Sequence, residues 1–348
     1  MKALVFENIR KVACSTVPDP SLVDPGDAIV RVRAAAICGS DLHVYRGLET
    51  GLDAGTVLGH ELAGEVVEAG SGVARFRPGD LVVSPFTTSC GGCFYCRLGL
   101  TGRCVRGQLF GWVEEGRGLH GVQAEYVRVP LADSTLVAVP EGTPPELALF
   151  AGDILATGWF GAESAGAAPG KSVAVVGCGP VGLMAVIAAR ELGAERIFAI
   201  DALPDRLALA ARWGAEPVDY QAEDPIGRIQ EETGGRGADA VVEAVGTPQA
   251  SRLAFDLVRP GGTIAAVGVH VEAHLAFAPG EAYDKNLTYR AGRCPARAYM
   301  DRLLPLVQSG RYDLSALISH RLPLDQGPDG YDLFDRRVPG CTKVVLLP

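Results

Sequence analysis

The sequence lacks an excess of basic residues, an apolar leader and any internal repeat. Its 32 lysines and arginines are outnumbered by 41 aspartates and glutamates, so the 348-residue chain has a formal net charge of -9. A chain without a basic field does not attract phosphate backbones or anionic lipid, and we expect neither nucleic acid nor a membrane as a partner. The N-terminal run MKALVFENIRKVACS becomes charged again at its seventh residue and contains no cleavage site. We therefore expect no signal peptide and a cytoplasmic location.

Long hydrophobic runs are also scarce. One uncharged stretch, Ser172 to Ala189, approaches the length of a membrane span. Its glycines and its proline divide it into a β-rich half, SVAVVG, and the start of an apolar helix. The pattern predicts a buried strand, a turn and a helix rather than a membrane-spanning helix.

Cysteine, in contrast, is plentiful and clustered. The nine cysteines are an odd number, and their spacing is unlike a set of secreted-domain disulfides, which favours thiolate chemistry in a reducing compartment. Four of them form a C-x2-C-x2-C-x7-C pattern: Cys90, Cys93, Cys96 and Cys104. Soft thiolates at such spacing can enclose one tetrahedral zinc. An iron-sulfur module is the alternative, but the bacterial ferredoxin run has a shorter final gap and a following proline, whereas Val105 follows Cys104.

The arrangement of hydrophobic residues changes along the chain. Residues 1 to about 150 contain short β-branched runs separated by glycine and proline, which predict a mainly β region. From about residue 155, strand-like runs alternate with helix-like runs, as in SVAVVG before LMAVIAARELG. This alternation predicts a parallel sheet with helices on both faces, and KVVLLP at the C-terminus predicts a final strand. The fold class is therefore α/β, with a mainly β domain and a doubly wound parallel sheet.

A glycine pattern follows the first strand of the alternating region. The run Gly177-Cys178-Gly179-Pro180-Val181-Gly182 fits G-x-G-x-x-G between a predicted strand and a predicted helix. These glycines permit a tight turn, close approach of a pyrophosphate and close helix packing, while the helix N-terminus faces the phosphates. The alternative is a tight turn that binds no ligand.

An acidic residue ends the second strand of the region. Asp201 lies about 20 residues after the glycine pattern, where a carboxylate can accept hydrogen bonds from the adenosine ribose. Its charge disfavours a 2'-phosphate and thus favours NAD over NADP, with Arg206 as a nearby residue that can lie against adenine. A helix N-cap is the alternative role for Asp201.

A looser set of metal-binding residue types precedes the cysteine cluster. Cys38 and His60 lie 22 positions apart. Ligands from separate loops are typical of a catalytic zinc, because an open coordination position must be kept for the substrate. Taken singly, a buried cysteine and a loop histidine are the simpler interpretations.

The run GHELAGEVVEAGSGV, from Gly59 to Val73, resembles the signature of zinc-containing alcohol dehydrogenases of the medium-chain dehydrogenase/reductase family. The run CGSDLH before it, the four-cysteine lobe and the glycine pattern follow the order of that family. The resemblance implies a GroES-like catalytic domain at 1–154 and 292–348, with a structural zinc lobe at 89–105, and a Rossmann NAD-binding domain at 155–291. It also implies two zinc ions per chain.

The same resemblance assigns roles near the catalytic zinc. It makes Cys38 and His60 zinc ligands, Glu61 a carboxylate able to enter the coordination sphere, and Asp41 the hydrogen-bond partner of His60. Many relatives supply a cysteine before a Thr-Gly pair, whereas the run from Gly152 to Gly158 offers Asp153. An oxygen ligand in place of sulfur donates less electron density and makes zinc a stronger Lewis acid.

The remaining implied roles concern proton transfer and the cofactor. Ser40 and His43 match a relay that takes the hydroxyl proton of the alcohol through the nicotinamide ribose to solvent. Phe86 matches a position that lines the substrate pocket. Further cofactor positions are Thr157 beside the Asp153 run, Val269 at the strand end near the nicotinamide amide, and Lys343 near the pyrophosphate.

The resemblance implies reversible oxidation of an alcohol by NAD. A threonine or sorbitol-type polyol dehydrogenase shares the same motifs. The Asp-Ile-Leu-x-Thr-Gly run also resembles glutathione-independent formaldehyde dehydrogenases, but those are longer, so dismutation is not expected. A nucleotide-binding sensor without turnover is a further alternative, disfavoured because zinc-ligand and relay residues are all present. We expect a homotetramer, with a dimer as the alternative.

Overall fold

The computed structural model describes residues 1–348, and α-helices alternate with strands from Ile154 to the C-terminal strand. The strands are β1 (Lys2–Asn8), β2 (Lys11–Thr16), β3 (Ala28–Ile37), β4 (Glu61–Ala69), β5 (Leu81–Ser84), β6 (Trp112–Glu114), β7 (Arg117–Leu119), β8 (Tyr126–Val129), β9 (Val137–Ala138), β10 (Ser172–Val176), β11 (Arg196–Asp201), β12 (Glu216–Asp219), β13 (Ala238–Glu243), β14 (Val258–Ala266), β15 (Thr288–Ala291), β16 (Ile318–Pro323) and β17 (Lys343–Leu347). The α-helices are α1 (Asp41–Tyr45), α2 (Phe94–Arg97), α3 (Ala132–Thr135), α4 (Pro145–Ala148), α5 (Ile154–Ala165), α6 (Pro180–Glu191), α7 (Pro204–Arg212), α8 (Pro225–Glu232), α9 (Pro248–Leu257), α10 (Pro279–Asp284), α11 (Ala296–Gln308) and α12 (Gly327–Asp335).

Two units make up the chain. The first unit comprises Met1–Ala156 and Pro295–Pro348, and the second unit comprises Thr157–Cys294. Each unit has a buried apolar core of its own.

The second unit contains a six-stranded parallel sheet. Its strand order is β12-β11-β10-β13-β14-β15, and every neighbouring pair is parallel. The central strands are nearly continuous apolar runs because helices cover a parallel sheet on both faces. Helices α6 to α10 all begin at a proline, a residue suited to the first helical position because its missing N–H has no partner there. The predicted doubly wound sheet is confirmed.

The stretch Ser172 to Ala189 forms β10, a glycine turn and the first part of α6, as predicted. Gly177 has a φ of +89°, and a Cβ there would lie 2.3 Å from a methyl group of Val245. A Cβ at Gly182 would lie 1.8 Å from the Gly177 carbonyl oxygen. Only glycine therefore allows this strand, turn and helix to pack so closely. None of the helices in the structure is both long and apolar enough to span a membrane.

The first unit is built on a mainly antiparallel sheet. Its strand order is β16-β17-β3-β4-β5-β9, with β8 also paired to β3. Strand β17, from the C-terminus, pairs antiparallel with β3, and β4 pairs with β3 on its other side. The register places Val344 opposite Ile37 and Glu61 opposite Ala36. Three segments that are distant in sequence thus meet at one end of β3.

Candidate functional site

Four potential metal ligands meet in the first unit. Cys38 follows β3, His60 precedes β4, Glu61 begins β4, and Asp153 precedes α5. One ligand atom from each lies within 4.8 Å of all the others. Asp153 Oδ2 is 3.6 Å from Cys38 Sγ and 3.2 Å from His60 Nε2. The structure therefore brings together the residues that the sequence predicts for the catalytic zinc.

The chemistry of this cluster fits a zinc ion. Sulfur, imidazole nitrogen and carboxylate oxygen are the donors that zinc takes in proteins. Cys38, Glu61 and Asp153 are buried, His60 is partly buried, and Glu61 Oε2 has no hydrogen-bond partner. A buried carboxylate oxygen without a partner is costly, and a cation beside it removes that cost.

Asp41 orients the imidazole of His60. The two residues meet through His60 Nδ1 and Asp41 Oδ1 at 3.1 Å. A proton on Nδ1 donated to Asp41 leaves the Nε2 lone pair free to face Cys38 and Asp153, which is the arrangement of a metal-ligating histidine and its carboxylate partner. The other oxygen of Asp41 accepts the backbone N–H of Cys38 at 2.9 Å. The same carboxylate therefore positions two of the candidate ligands.

Lys343 lies deep in the first unit. Its side chain has no exposed surface, and its ammonium donates hydrogen bonds to Glu61 Oε1 and, at 3.1 Å, to the Ile37 carbonyl oxygen. A buried ammonium requires such partners. The structure therefore gives Lys343 two partners within the first unit, and its contact with the pyrophosphate stays a prediction.

The two predicted relay residues lie on and beside α1. Ser40 Oγ is 3.4 Å from His60 Nε2, so its hydroxyl lies at the candidate metal site. His43 is half-buried, and its Nδ1 is buried without a hydrogen-bond partner. Burial lowers the pKa of His43, which favours the neutral imidazole. The buried ring of Phe86 stands edge-on to His60, with 6.3 Å between ring centroids.

The four-cysteine lobe forms a second cluster. The sulfur atoms of Cys90, Cys93, Cys96 and Cys104 all lie within 4.8 Å of one another, and all nine cysteines of the chain are free of disulfides. Cys104 Sγ accepts the backbone N–H groups of Cys90 and Arg106 at 3.2 and 3.4 Å. Backbone hydrogen bonds from Cys96 and Val105 lower the pKa of Cys93 to about 6. These hydrogen bonds stabilise thiolates, and four thiolates fit a closed tetrahedral zinc site.

In the second unit, Asp201 supports the glycine turn. Its carboxylate accepts the N–H of Cys178, inside the glycine pattern, at 2.8 Å, and the N–H groups of Ala202 and Leu203 at 2.8 and 3.0 Å. Arg206 Nη1 lies 3.7 Å from Asp201 Oδ2, and Arg206 Nε is buried without a partner. A carboxylate can accept about four hydrogen bonds. Asp201 can therefore accept a further hydrogen bond besides those from these three N–H groups.

The other predicted cofactor positions also lie in the second unit. Pro180 and Val181 begin α6, where the first helical N–H groups have no partners within the helix. Thr157 is half-buried in α5, and Val269 follows β14 with 39% of its surface exposed. Their contacts with a cofactor stay predictions.

Sequence reasoning missed an interaction beside the glycine turn, between a buried glutamate and a half-buried histidine. Glu243 ends β13, the neighbour of β10, and has no exposed surface. It accepts the N–H groups of Val245 and Gly246 at 2.8 Å each, and its other oxygen lies 2.8 Å from His270 Nε2. The signal in the sequence was a carboxylate closing the apolar run AVVE.

Comparisons with known proteins agree with this geometry. Residues 24–141 match the alcohol dehydrogenase GroES-like domain, and residues 180–309 match the zinc-binding dehydrogenase family. Zinc-type alcohol dehydrogenase B of Aspergillus flavus is 46% identical over 344 residues, covering 96% of this chain and 79% of that protein. An uncharacterised zinc-type alcohol dehydrogenase-like protein of Bacillus subtilis is 36% identical over the whole length of both chains.

A solved structure shows the same fold. Alcohol dehydrogenase TADH from Thermus sp. ATN1 superposes with a TM-score of 0.93 and 45% identity, covering 100% of this chain and 99% of that chain. The similarity to alcohol dehydrogenases therefore covers the full length of the chain and is not limited to single motifs. The chain therefore belongs to the zinc-type alcohol dehydrogenase family of medium-chain dehydrogenases and is a zinc-dependent oxidoreductase that oxidises an alcohol.

Proposed function

We propose that this protein oxidises its alcohol reversibly to an aldehyde or ketone with NAD, at a zinc held by Cys38, His60 and Asp153. The observation that carries the proposal is the buried cluster whose sulfur, nitrogen and oxygen donors lie within 4.8 Å of one another. When bound, zinc supplies Lewis acidity that makes an alcohol hydroxyl acidic near neutral pH. Three protein ligands leave a coordination position for the substrate, with Glu61 as the neighbouring carboxylate.

Ser40 and His43 transfer the hydroxyl proton of the substrate in this proposal. The Ser40 hydroxyl lies beside the Nε2 atom of His60, where it can accept the proton of a substrate hydroxyl and pass on its own. His43 is the final acceptor before solvent because burial lowers its pKa and keeps it neutral near pH 7. The ring of Phe86 provides an apolar wall next to His60.

The cofactor choice rests on the second unit. NAD, when bound, supplies the acceptor for the hydride that leaves the substrate carbon. Gly177, Gly179 and Gly182 keep the turn open to a pyrophosphate, and the N-terminus of α6 provides N–H groups for it. Asp201 places a negative charge at the end of β11, which favours ribose hydroxyls over a 2'-phosphate. Arg206 lies beside it and can contact adenosine.

The four-cysteine lobe holds the second zinc in this proposal, at a structural site. Its ligands are all thiolates from one short segment, so the coordination shell is closed and no substrate can enter. We further propose a cytoplasmic homotetramer. The free cysteines suit a reducing compartment, and sedimentation velocity on the purified protein distinguishes the tetramer from a dimer.

A substrate panel tests the proposed reaction. Primary, secondary and polyhydric alcohols are each offered with NAD and with NADP, and reduced cofactor is measured by its absorbance. We expect NADH formation with at least one alcohol class and weaker use of NADP. Cys38→Ser abolishes this activity, while Cys14→Ser, at a free cysteine outside both clusters, keeps it. Unchanged turnover in Cys38→Ser would overturn the assignment.

A further inference from the structure

A chain of buried hydrogen bonds connects His60 with the last helix of the protein. The Tyr331 hydroxyl, from α12, donates to Gln123 Oε1 at 2.8 Å. Gln123 Nε2 donates to the Ala36 carbonyl oxygen at 3.1 Å and to Asp41 Oδ2 at 3.3 Å. Asp41 in turn holds His60 Nδ1. Tyr331 and Gln123 have no exposed surface, so water does not compete for these bonds.

The acceptors around Gln123 allow its amide one orientation. The Ala36 carbonyl can only accept, and the Asp41 carboxylate already accepts the Cys38 N–H at the same oxygen. The NH2 group must therefore face these two residues, and Oε1 must face Tyr331. Burial, with the charge of Asp41, raises the pKa of Tyr331 well above its usual value, which keeps its hydroxyl a donor. Reversing the amide would set its oxygen against two acceptors, the Ala36 carbonyl and the Asp41 carboxylate, in a buried site.

The backbone next to His60 is shaped to admit Gln123. Gly59 has a φ of +87°, and a Cβ there would lie 2.4 Å from Gln123 Cγ. The backbone N–H of Gln123 donates to the Leu58 carbonyl at 2.9 Å. Gly121, two residues earlier, would place a Cβ 2.2 Å from that same carbonyl oxygen. Glycines at positions 59 and 121 thus let the two segments touch, so that the Gln123 side chain can pass to Asp41.

Close packing also holds Tyr331 in place. A Cβ at the preceding residue, Gly330, would lie 3.1 Å from Ile37 Cδ1, so α12 packs tightly against the end of β3. The Tyr331 ring also contacts Tyr45, with ring centroids 5.5 Å apart. The hydroxyl is therefore held by packing as well as by its hydrogen bond.

We propose that Gln123 and Tyr331 are positioning residues of the catalytic metal site, which hold the Asp41 carboxylate where it sets the tautomer and ring plane of His60. This inference rests on the proposed zinc site at Cys38, His60 and Asp153. Neither residue is part of the ligand cluster, and both act through Asp41. Loss of a group that orients a metal ligand typically weakens metal binding by roughly 10–100-fold.

Zinc affinity and a cobalt spectrum test the proposal. Gln123→Met removes the amide at similar length, and Tyr331→Phe removes one hydroxyl at constant ring size. The affinity of the full-length protein for zinc is measured by competition with a chromophoric chelator, and the visible bands of the cobalt-substituted protein report the geometry at Cys38. Tyr45→Phe is the matched control, because it removes a hydroxyl from the neighbouring ring. Far-ultraviolet circular dichroism verifies that each variant is folded.

We expect Gln123→Met to weaken zinc binding by roughly 10–100-fold and to shift the cobalt bands. Tyr331→Phe should change the zinc affinity and the cobalt bands in the same direction, but by a smaller amount. The double variant should bind zinc as well as Gln123→Met alone, because the hydroxyl acts through the amide. Wild-type affinity and spectrum in Tyr331→Phe and Gln123→Met would overturn the proposal, as would additive losses in the double variant. If Gln123→Met does not fold, the zinc affinity and cobalt spectrum of Tyr331→Phe, compared with those of Tyr45→Phe, decide whether the proposal holds.

Failure of the underlying metal site is distinguishable. If Cys38→Ser retains both zinc ions, the zinc site itself is wrong. If Cys38→Ser loses one zinc but Gln123→Met and Tyr331→Phe bind like the wild type, only the positioning role is wrong.

Discussion

Lys343, in the last strand of the chain, donates a buried hydrogen bond to Glu61, the residue directly after His60. The pair is completely enclosed, and the ammonium also reaches the carbonyl of Ile37. One oxygen of Glu61 is thus held by Lys343, and the other has no hydrogen-bond partner. The C-terminal strand therefore contributes directly to the electrostatics of the metal site.

Removing the ammonium should destabilise the protein strongly. Lys343→Met leaves the buried Glu61 carboxylate without its counter-charge, and breaking a buried pair from one side costs about 3–5 kcal/mol. Urea unfolding of the zinc-loaded protein measures this loss. Adding Glu61→Gln to Lys343→Met should recover part of it, because the uncompensated charge is gone. A loss below about 1 kcal/mol in Lys343→Met, the range of a surface pair, would contradict the buried ion pair.

Removing one thiolate of the lobe should lower the stability of the protein without abolishing catalysis. Cys104→Ser opens the four-thiolate site, so we expect zinc content to fall from about two ions per chain to about one and the melting temperature to decrease. Alcohol oxidation per remaining zinc should persist at low temperature, since the lobe holds no substrate. Plasma emission spectrometry and calorimetry measure the two effects, with Cys14→Ser as the control. Complete loss of turnover in a folded Cys104→Ser protein would show that the lobe has a catalytic part.

Neutralising Asp201 should change cofactor preference. Asp201→Asn removes the charge that opposes a 2'-phosphate and leaves Arg206 available to it. We expect the ratio of NADPH to NADH affinity to rise, mainly through tighter binding of NADPH. Fluorescence titration with each reduced cofactor measures both dissociation constants. Asp205→Asn, at an exposed residue of the following helix, is the control, and an unchanged ratio in Asp201→Asn would argue against a ribose contact.

The Glu243 and His270 pair should make stability depend on pH. The hydrogen bond to Glu243 raises the pKa of His270 in the folded protein, so the charged imidazole is favoured by folding. Its contribution is fully present below the unfolded pKa of about 6.5 and is lost as pH rises through the folded value. The difference in unfolding free energy between wild type and His270→Gln should therefore shrink as pH rises above neutrality. A difference that grows with pH would contradict this sign.

The local patterns predicted much of the fold. Apolar runs that alternate with helix-like runs indicated the parallel sheet, and glycine spacing located the turn between β10 and α6. The ligand candidates could be found because Cys38, His60 and the lobe cysteines stand in short recognisable runs. These signals are local, so the sequence displays them without knowledge of strand order.

The missed contacts depend on pairing between distant segments. Lys343 meets Glu61 only because β17 and β4 flank β3, an order that no local pattern contains. Gln123 and Tyr331 meet through the close packing of α12 on the sheet. In the sequence, a buried glutamine and a buried tyrosine resemble ordinary core residues, since their partners are set by tertiary structure.

Zinc-edge anomalous diffraction from a crystal of the zinc-loaded protein locates the metal ions themselves. We expect two peaks per chain. One lies among the four lobe cysteines, and the other lies about 2.0–2.3 Å from Cys38 Sγ, His60 Nε2 and an oxygen of Asp153. A single peak in the lobe, with none at Cys38 in an enzyme that still oxidises alcohol, would contradict this expectation.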